Sequence, residues 1–298
     1  MGSTISQRIV DAMPWLDNVS EAVQPRVREA VEKNGTTVRN VLDGVPMQLP
    51  LHPALTDVPL GAWTGALIFD GLDVVTGSKA MRNAADASLV LGVAGGFAAA
   101  ATGLSDWRYL SGGSRRMGMA HGLLNSVGLL LSSGSLVLRA AGRRRAGQLA
   151  FLAGFSISGT AAHLGGELSY NHGLRVNHNT FEPTGPDEFV AVLPDEDLPS
   201  NGLRRVEVNG AGVLLSRTED GRIWAIASTC SHMGGPLEEG VREDHSIICP
   251  LHGSRFDLCN GRVLDGPAVF PQSSYQTRVR NGQIELQASA HNIQNKVR

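Results

Sequence analysis

Two short stretches of this 298-residue chain set sulfur and nitrogen donors close together: Cys230-Ser231-His232 and Cys249-Pro250-Leu251-His252. Each could offer one thiolate and one imidazole to a metal. A structural zinc site usually pairs like ligands within a loop, Cys with Cys and His with His. Loops that each mix a Cys with a His suit another task, a two-iron cluster with both sulfurs on one iron and both imidazoles on the other. Zinc is the alternative. The third cysteine, Cys259, follows the second loop in apolar company and is expected to be a buried thiol. Three cysteines are too few to staple a chain of this size with disulfides.

Such loops need a rigid frame, and the sequence around them predicts strands. FVAVL (189–193), RRVEVNG (204–210), GVLLSRT (212–218) and RIWAIA (222–227) are short β-branched runs divided by Asn-Gly and Asp-Gly turns. YQTRVRNGQIELQ (275–287) is a later hairpin turning at Asn281-Gly282. These place an antiparallel all-β domain at 188–288, followed by a tail at 289–298. Ahead of it the polar, Pro- and Gly-marked stretch NTFEPTGPDE (179–188) closes a linker at 173–187.

CSHMGGPLEEG (230–240) and CPLHGSRFDLCNGRVLDGPA (249–268) closely resemble the two cluster loops of Rieske [2Fe-2S] proteins, and the resemblance extends over about 188–288. It implies that Cys230 and Cys249 hold the inner iron and His232 and His252 the outer one. Rieske proteins of the cytochrome bc type carry a further Cys in each loop, joined as a disulfide; here those positions are Gly235 and Leu251. Such proteins also direct a Ser and a Tyr hydroxyl at the cluster sulfurs. This chain keeps Ser254 but has Phe256 in place of the Tyr. One hydroxyl instead of two implies a potential below the top of the Rieske range.

The first half of the chain has a different character. Residues 87–105, 117–138 and 146–166 contain no Asp, Glu, Lys or Arg, and 58–78 form a weaker run interrupted by Asp70 and Asp73. About 20 such residues suffice to cross the hydrocarbon of a bilayer. Four spans are therefore expected within 51–172, rich in the Gly, Ala and Ser that favour close helix contact in lipid. Residues 1–50 predict amphipathic helices, with Val19, Val23, Val27 and Val31 on one face, lying on the membrane surface or packing on the rest of the chain. No internal repeat is apparent. HPALTDVPLGAWTGALIFD (52–70) and the spaced histidines resemble a bacterial four-span membrane domain of uncharacterised function, over about 48–170.

Threading the spans puts His121 and His163 about one turn below the same surface, on the side where the β domain emerges. They are candidate axial ligands of a haem b, or partners of a quinone. His52 is a candidate for a metal site, and Asp70, within a span, joins them because ionisable residues there are costly. The competing reading is that these side chains only bind neighbouring helices or lipid headgroups.

The expected architecture is thus multi-domain: an N-terminal α-helical membrane bundle of four spans and a C-terminal all-β Rieske domain. The expected function is one-electron transfer by a multi-pass protein of the cell membrane, with membrane lipid around it and a reductase, an oxygenase or a quinone as redox partner. The alternatives are a self-contained redox enzyme using haem or quinone in the spans, and a non-redox scaffold with a structural metal. An oxygenase would need a further mononuclear iron site with two His and a carboxylate, for which nothing after 288 offers room. A net charge of −2 gives no case for nucleic acid. Loop arginines favour an outward β domain by the positive-inside tendency; the missing export signal and missing disulfide favour a cytoplasmic one, which is the expectation adopted.

Overall fold

The computed structural model describes residues 4–289; the tail read at 289–298 lies, from 290 on, outside the described residues. The described residues divide into two compact units, one of 4–42 and 50–172, the other of 43–49 and 173–289.

The first unit is helical: α1 (Ile5–Asp11), α2 (Trp15–Lys33), α3 (Gly35–Asp43), α4 (Leu51–Thr76), α5 (Lys79–Trp107), α6 (Gly112–Ala140) and α7 (Arg144–Gly166), which runs on as a π-helical turn at Glu167–Asn171. The last four helices are long and apolar enough to cross a membrane. At 1.5 Å per residue, even the 23 residues of α7 exceed the roughly 30 Å of hydrocarbon. The first of them starts at Leu51, earlier than its charge pattern suggests. Pro50 and Pro53 explain this, since a proline in the first turn forfeits no helical hydrogen bond. The helix stops at Gly77, whose φ of 66° is open to glycine and whose N–H donates to the Asp73 carbonyl at 2.8 Å. Val74, Val75, Leu130, Val137 and Leu149 stay exposed, while Ala66, Ala85, Gly92, Ser132 and Ser135 are buried. Trp63, Leu89, Leu129 and Phe151 fill the core between them, and small residues where helices meet, with large apolar ones outside, suit a lipid environment.

A pattern of burial runs through the four long helices. Pro59, Trp63, Ala66 and Asp70 of α4 recur in register as Gly128, Ser132, Ser135 and Arg139 of α6. Ala85, Leu89, Gly92, Ala99 and Thr102 of α5 recur as Gly147, Phe151, Gly154, Ala161 and Leu164 of α7. The hairpins α4–α5 and α6–α7 thus share a spacing of buried positions that residue identities do not show.

The α2 helix packs on the bundle. Leu16, Ser20 and Val31 are buried, and Gln24 Nε2 donates to the carbonyls of Trp107 and Leu110 at 3.1 and 2.8 Å, sealing the end of α5. Arg116 donates to Asp17, and this hydrogen bond holds the Asp17 carboxyl below its ordinary range.

The second unit is β-rich. Its strands are β1 (Val190–Pro194), β2 (Leu203–Val208), β3 (Ala211–Arg217), β4 (Ile223–Ala227), β5 (Val241–Glu243), β6 (Ser246–Ile248), β7 (Arg255–Asp257), β8 (Val263–Asp265), β9 (Ser274–Arg280) and β10 (Gln283–Ala288). Six form one antiparallel sheet in the order β1-β10-β9-β4-β3-β2, and β5-β6-β7-β8 form a second. Positive φ at Asn209-Gly210 and Asn281-Gly282 supplies the tight hairpin turns read from the sequence. Val213, Leu215, Tyr275, Ile284 and Leu286 centre one core. Leu214, Ile226, Ile247 and Phe256 centre another, which also takes in Cys230 and Cys249.

Two segments join this unit unforeseen. Residues 173–187, read as a linker, fold against the β domain. Arg175, buried, donates to the Pro267 carbonyl at 2.8 Å and meets Asp43 Oδ1 at 3.4 Å. Residues 43–49 belong here too: Asp43 is fully buried, and a Cβ on Gly266 would stand 2.9 Å from its Oδ2.

Candidate metal centre

The two donor loops have the same backbone construction. In the first, Cys230 N–H donates to the Gly235 carbonyl at 2.8 Å and Gly234 N–H returns to the Cys230 carbonyl at 2.9 Å. In the second, Cys249 N–H donates to Ser254 at 2.8 Å and Gly253 N–H to Cys249 at 3.1 Å. Gly234 and Gly253 take φ of +71° and +75°, which lets each loop turn back beneath its cysteine. Each ends up facing the other: β6 and β7 carry the second loop as a hairpin tip, and the first leaves β4 and is pinned by the Thr229–Pro236 bridge.

This construction gathers all four donors. Cys230 and Cys249 are buried and their thiols hydrogen-bond to each other. The His232 and His252 rings stand with centroids 5.1 Å apart at 88°. His232 is buried and His252 half-buried, so the imidazole side lies nearer solvent than the sulfur side. Peptide N–H groups of His232 and Met233 point at the first sulfur, and those of Leu251 and His252 at the second. Cys230, donating to its neighbour, is pushed well above the ordinary thiol range by that bond and by burial. The same bond, with the Leu251 and His252 N–H groups, holds Cys249 below the ordinary thiol range despite burial. Amide donors aimed at sulfur stabilise negative charge there, as a thiolate or as a cluster edge. Two adjacent sulfurs and two adjacent imidazoles fit a [2Fe-2S] cluster with split ligation.

The surrounding residues agree with the fit. A Cβ on Gly235 would lie 2.8 Å from Cys249 Sγ and 3.1 Å from the Leu251 side chain, so this position admits nothing larger than glycine. Ser254 is buried, and its Oγ accepts from Ala268 N–H at 2.9 Å, which leaves its hydroxyl proton to point elsewhere. Phe256 is buried in the same core and brings no hydroxyl.

Sequence reasoning missed the supports behind the first loop. Gln272, in the amide orientation that satisfies both ends, donates to the Thr229 carbonyl at 3.0 Å and accepts from Ser231 N–H at 2.8 Å, bracketing Cys230. Ser231 Oγ donates to the Phe270 carbonyl at 2.6 Å, and His178 N–H to the Ser231 carbonyl at 3.1 Å. The lone signal was a polar Gln in a β-rich stretch. Cys259 is exposed, not buried, because it sits in the turn between β7 and β8, where its N–H donates to Asp257.

Each candidate residue of the helical unit has a partner within that unit. His163 is exposed and bonds Ser6 Oγ at 2.9 Å, with Glu167 at 3.9 Å. His121 pairs with His52, the ring centroids 6.2 Å apart. Asp70 binds Arg139, with Arg144 at 3.2 Å and Gln148 at 3.2 Å. Asp73, Asp86 and Arg82 extend this network, which balances three carboxylates against three guanidiniums. The network accounts for Asp70 as an ion-pair member.

Comparison with known proteins matches this geometry. Residues 188–276 match the family model of the Rieske [2Fe-2S] domain, and residues 48–178 match that of a predicted membrane protein family, DUF2231. The ferredoxin component of the naphthalene 1,2-dioxygenase/salicylate 5-hydroxylase systems of a Ralstonia species is 33% identical over 91 residues, 30% of this chain and 86% of that protein. The 3-phenylpropionate/cinnamic acid dioxygenase ferredoxin subunit of Photorhabdus laumondii is 36% identical over 102 residues, 34% of this chain and 93% of that protein. Among solved structures, the ferredoxin of carbazole 1,9a-dioxygenase from Nocardioides aromaticivorans has 30% identity and a TM-score of 0.32, covering 34% of this chain and 98% of that one. Both cluster loops and strands β1 to β8 fall inside the matched stretch, and the chain belongs to the Rieske [2Fe-2S] family, its β domain joined to a DUF2231-type helical domain.

Proposed function

We propose that this protein is a membrane-anchored electron carrier whose Rieske domain exchanges single electrons with a separate redox protein of the oxygenase or reductase type. The observation that carries the reading is the convergence of Cys230, Cys249, His232 and His252 from two equivalent loops. The curated relatives are named as ferredoxin components of dioxygenase systems, and the likeness covers 86% and 93% of their own lengths. The four apolar helices supply the anchor.

A [2Fe-2S] cluster, when bound, supplies a one-electron couple. Cys230 and Cys249 would hold its buried side, with the amide N–H groups of the loops directed at sulfur. His232 and His252 would hold its outer side. Half-buried His252, next to exposed Leu251, gives the short route by which a docked partner exchanges the electron. Gln272 and Ser231 keep the first loop rigid, which limits reorganisation when the charge changes.

We infer a cytoplasmic position for the β domain. The disulfide of exported relatives has no counterpart at Gly235 and Leu251, and thiols are kept reduced in the cytosol. Membranes from expressing cells are expected to give a Rieske-type electron paramagnetic resonance signal on reduction, absent in Cys249→Ser. A reducing agent confined to the cytoplasmic side of sealed vesicles should elicit it. Colourless, silent membranes carrying the full-length chain would overturn the reading.

A further inference from the structure

Asp43 opens the first segment of the β-rich unit, and Arg175 stands near the start of the second. Their side chains pair deep inside that unit, 0% and 3% exposed, with Arg175 Nη2 3.4 Å from Asp43 Oδ1. A buried ion pair is a poor source of stability, because desolvation offsets most of the attraction. Arg175 also takes a φ of +62°, an unfavourable backbone conformation for a long side chain. What the guanidinium gains there is the Pro267 carbonyl, to which Nη1 donates at 2.8 Å.

That carbonyl shares its peptide plane with the N–H of Ala268, which donates to Ser254 Oγ at 2.9 Å. Both ends of one peptide unit are therefore held, the oxygen by a cation and the N–H by a hydroxyl. Ser254 in turn closes the second donor loop, its carbonyl accepting from Cys249 N–H at 2.8 Å. Ser254 and Ala268 are buried, and Ala268 lies in the core that holds Cys230 and Cys249. Gly266 lets the segment close on the ion pair: a Cβ there would stand 2.9 Å from Asp43 Oδ2 and 3.0 Å from Val45 Cγ2.

Hydrogen bonds in a chain polarise one another, the more so where water is excluded. A guanidinium on the carbonyl draws electron density from the peptide nitrogen and makes Ala268 N–H a stronger donor. A hydroxyl oxygen that accepts the stronger bond gives its own proton more readily to an acceptor on its other side. We propose that Arg175 is a positioning residue for the cluster, acting through the Pro267–Ala268 peptide to strengthen the Ser254 hydroxyl as a donor to cluster sulfur and so to raise the reduction potential. Asp43 holds the guanidinium in place and moderates its charge. The proposal rests on the electron-carrier reading, and it brings two residues from outside the Rieske match at 188–276 to bear on the cluster.

The test is a redox titration of the full-length chain in mild detergent, followed by electron paramagnetic resonance. Arg175→Met should shift the equilibrium between reduced and oxidised cluster about threefold toward the oxidised form at a fixed potential. Arg175→Lys, which keeps the charge and a donor, should recover most of the shift. Asp43→Asn leaves the guanidinium unbalanced and should move the equilibrium the other way, an outcome that loosened packing would not give. In the Ser254→Ala background, Arg175→Met should add nothing. Where Arg175→Met does not retain the cluster, Asp43→Asn/Arg175→Met, which has no lone buried charge, should have a lower midpoint than Asp43→Asn. A full cluster signal with an unmoved midpoint in Arg175→Met overturns the proposal, as does an equal shift with and without Ser254. So does a fall of the midpoint in Asp43→Asn. A wild-type chain with no cluster signal overturns the electron-carrier reading, and this one with it.

Discussion

Asp70 and Arg139 hold matching places in the buried spacing of two helical hairpins, and they bind each other between those hairpins. At matching places, identical charges would repel; opposite charges stand there, and the pair locks the hairpins together. Arg144 and its counterpart Arg82 both reach Asp73, extending the lock along the interface.

Removing one partner of a buried pair leaves an uncompensated charge, which costs about 3–5 kcal/mol. Arg139→Leu is therefore expected to lower the unfolding midpoint of the helical unit sharply in detergent. Asp70→Leu/Arg139→Leu should recover a large part of the loss. Additive losses in the double variant would show that the two residues do not act as a pair.

Tyr275 makes the β domain sensitive to alkali. Burial, with Glu182 adding to it, pushes its phenol up to about 12 from 10.0. Its folded value lies above its unfolded one, so the stabilisation is complete below pH 10 and is lost as pH rises from 10 to 12. The full effect is about 3 kcal/mol. Urea unfolding at pH 9 and pH 11 should show the decline, and Tyr275→Phe should abolish most of it. An equal decline in the Phe variant would assign the sensitivity elsewhere.

Gly235 is expected to be as necessary to cluster assembly as a ligand. With a methyl group 2.8 Å from Cys249 Sγ, Gly235→Ala must displace either the sulfur or the Leu251 side chain. Iron content should fall severalfold while far-ultraviolet circular dichroism of the domain is retained. His252→Ala should behave likewise. Full iron occupancy in His252→Ala would contradict its assignment as a ligand.

What could be read without a structure depended on how local the physics is. The cluster loops were legible because Cys230 with His232, and Cys249 with His252, fix chemistry within a few residues. The spans were legible because missing charge is a property of a continuous stretch. The three-residue strands β5 to β8 were not, since strands so short carry no alternation to detect. Nor was the shared spacing of buried positions, which identities conceal: Trp63 matches Ser132, and Asp70 matches Arg139. Threading the spans set His163 beside His121, whereas the ring that stands by His121 is that of His52. Cys259 misled because its apolar neighbours Leu258 and Phe256 turn inward while the thiol sits at the turn.

The reduction potential follows from two side chains beside the second loop. Hydrogen bonds to cluster sulfur favour the reduced, more negative state and so raise the potential. Ser254 Oγ already accepts from Ala268 N–H, which orients its hydroxyl proton away from that bond. Phe256, buried in the same core, offers nothing equivalent. With one hydroxyl donor, the midpoint should lie well below the upper limit of a Rieske range that runs from about −150 to +300 mV. Redox titration followed by electron paramagnetic resonance is expected to show a lower midpoint in Ser254→Ala and a higher one in Phe256→Tyr, with the cluster content of all three forms equal. The direction in Phe256→Tyr is the sharper test, because a hydroxyl added to a ring already in place changes hydrogen bonding more than packing. A wild-type midpoint above about +250 mV would mean that donors other than Ser254, such as the backbone N–H groups of Leu251 and His252, dominate the potential.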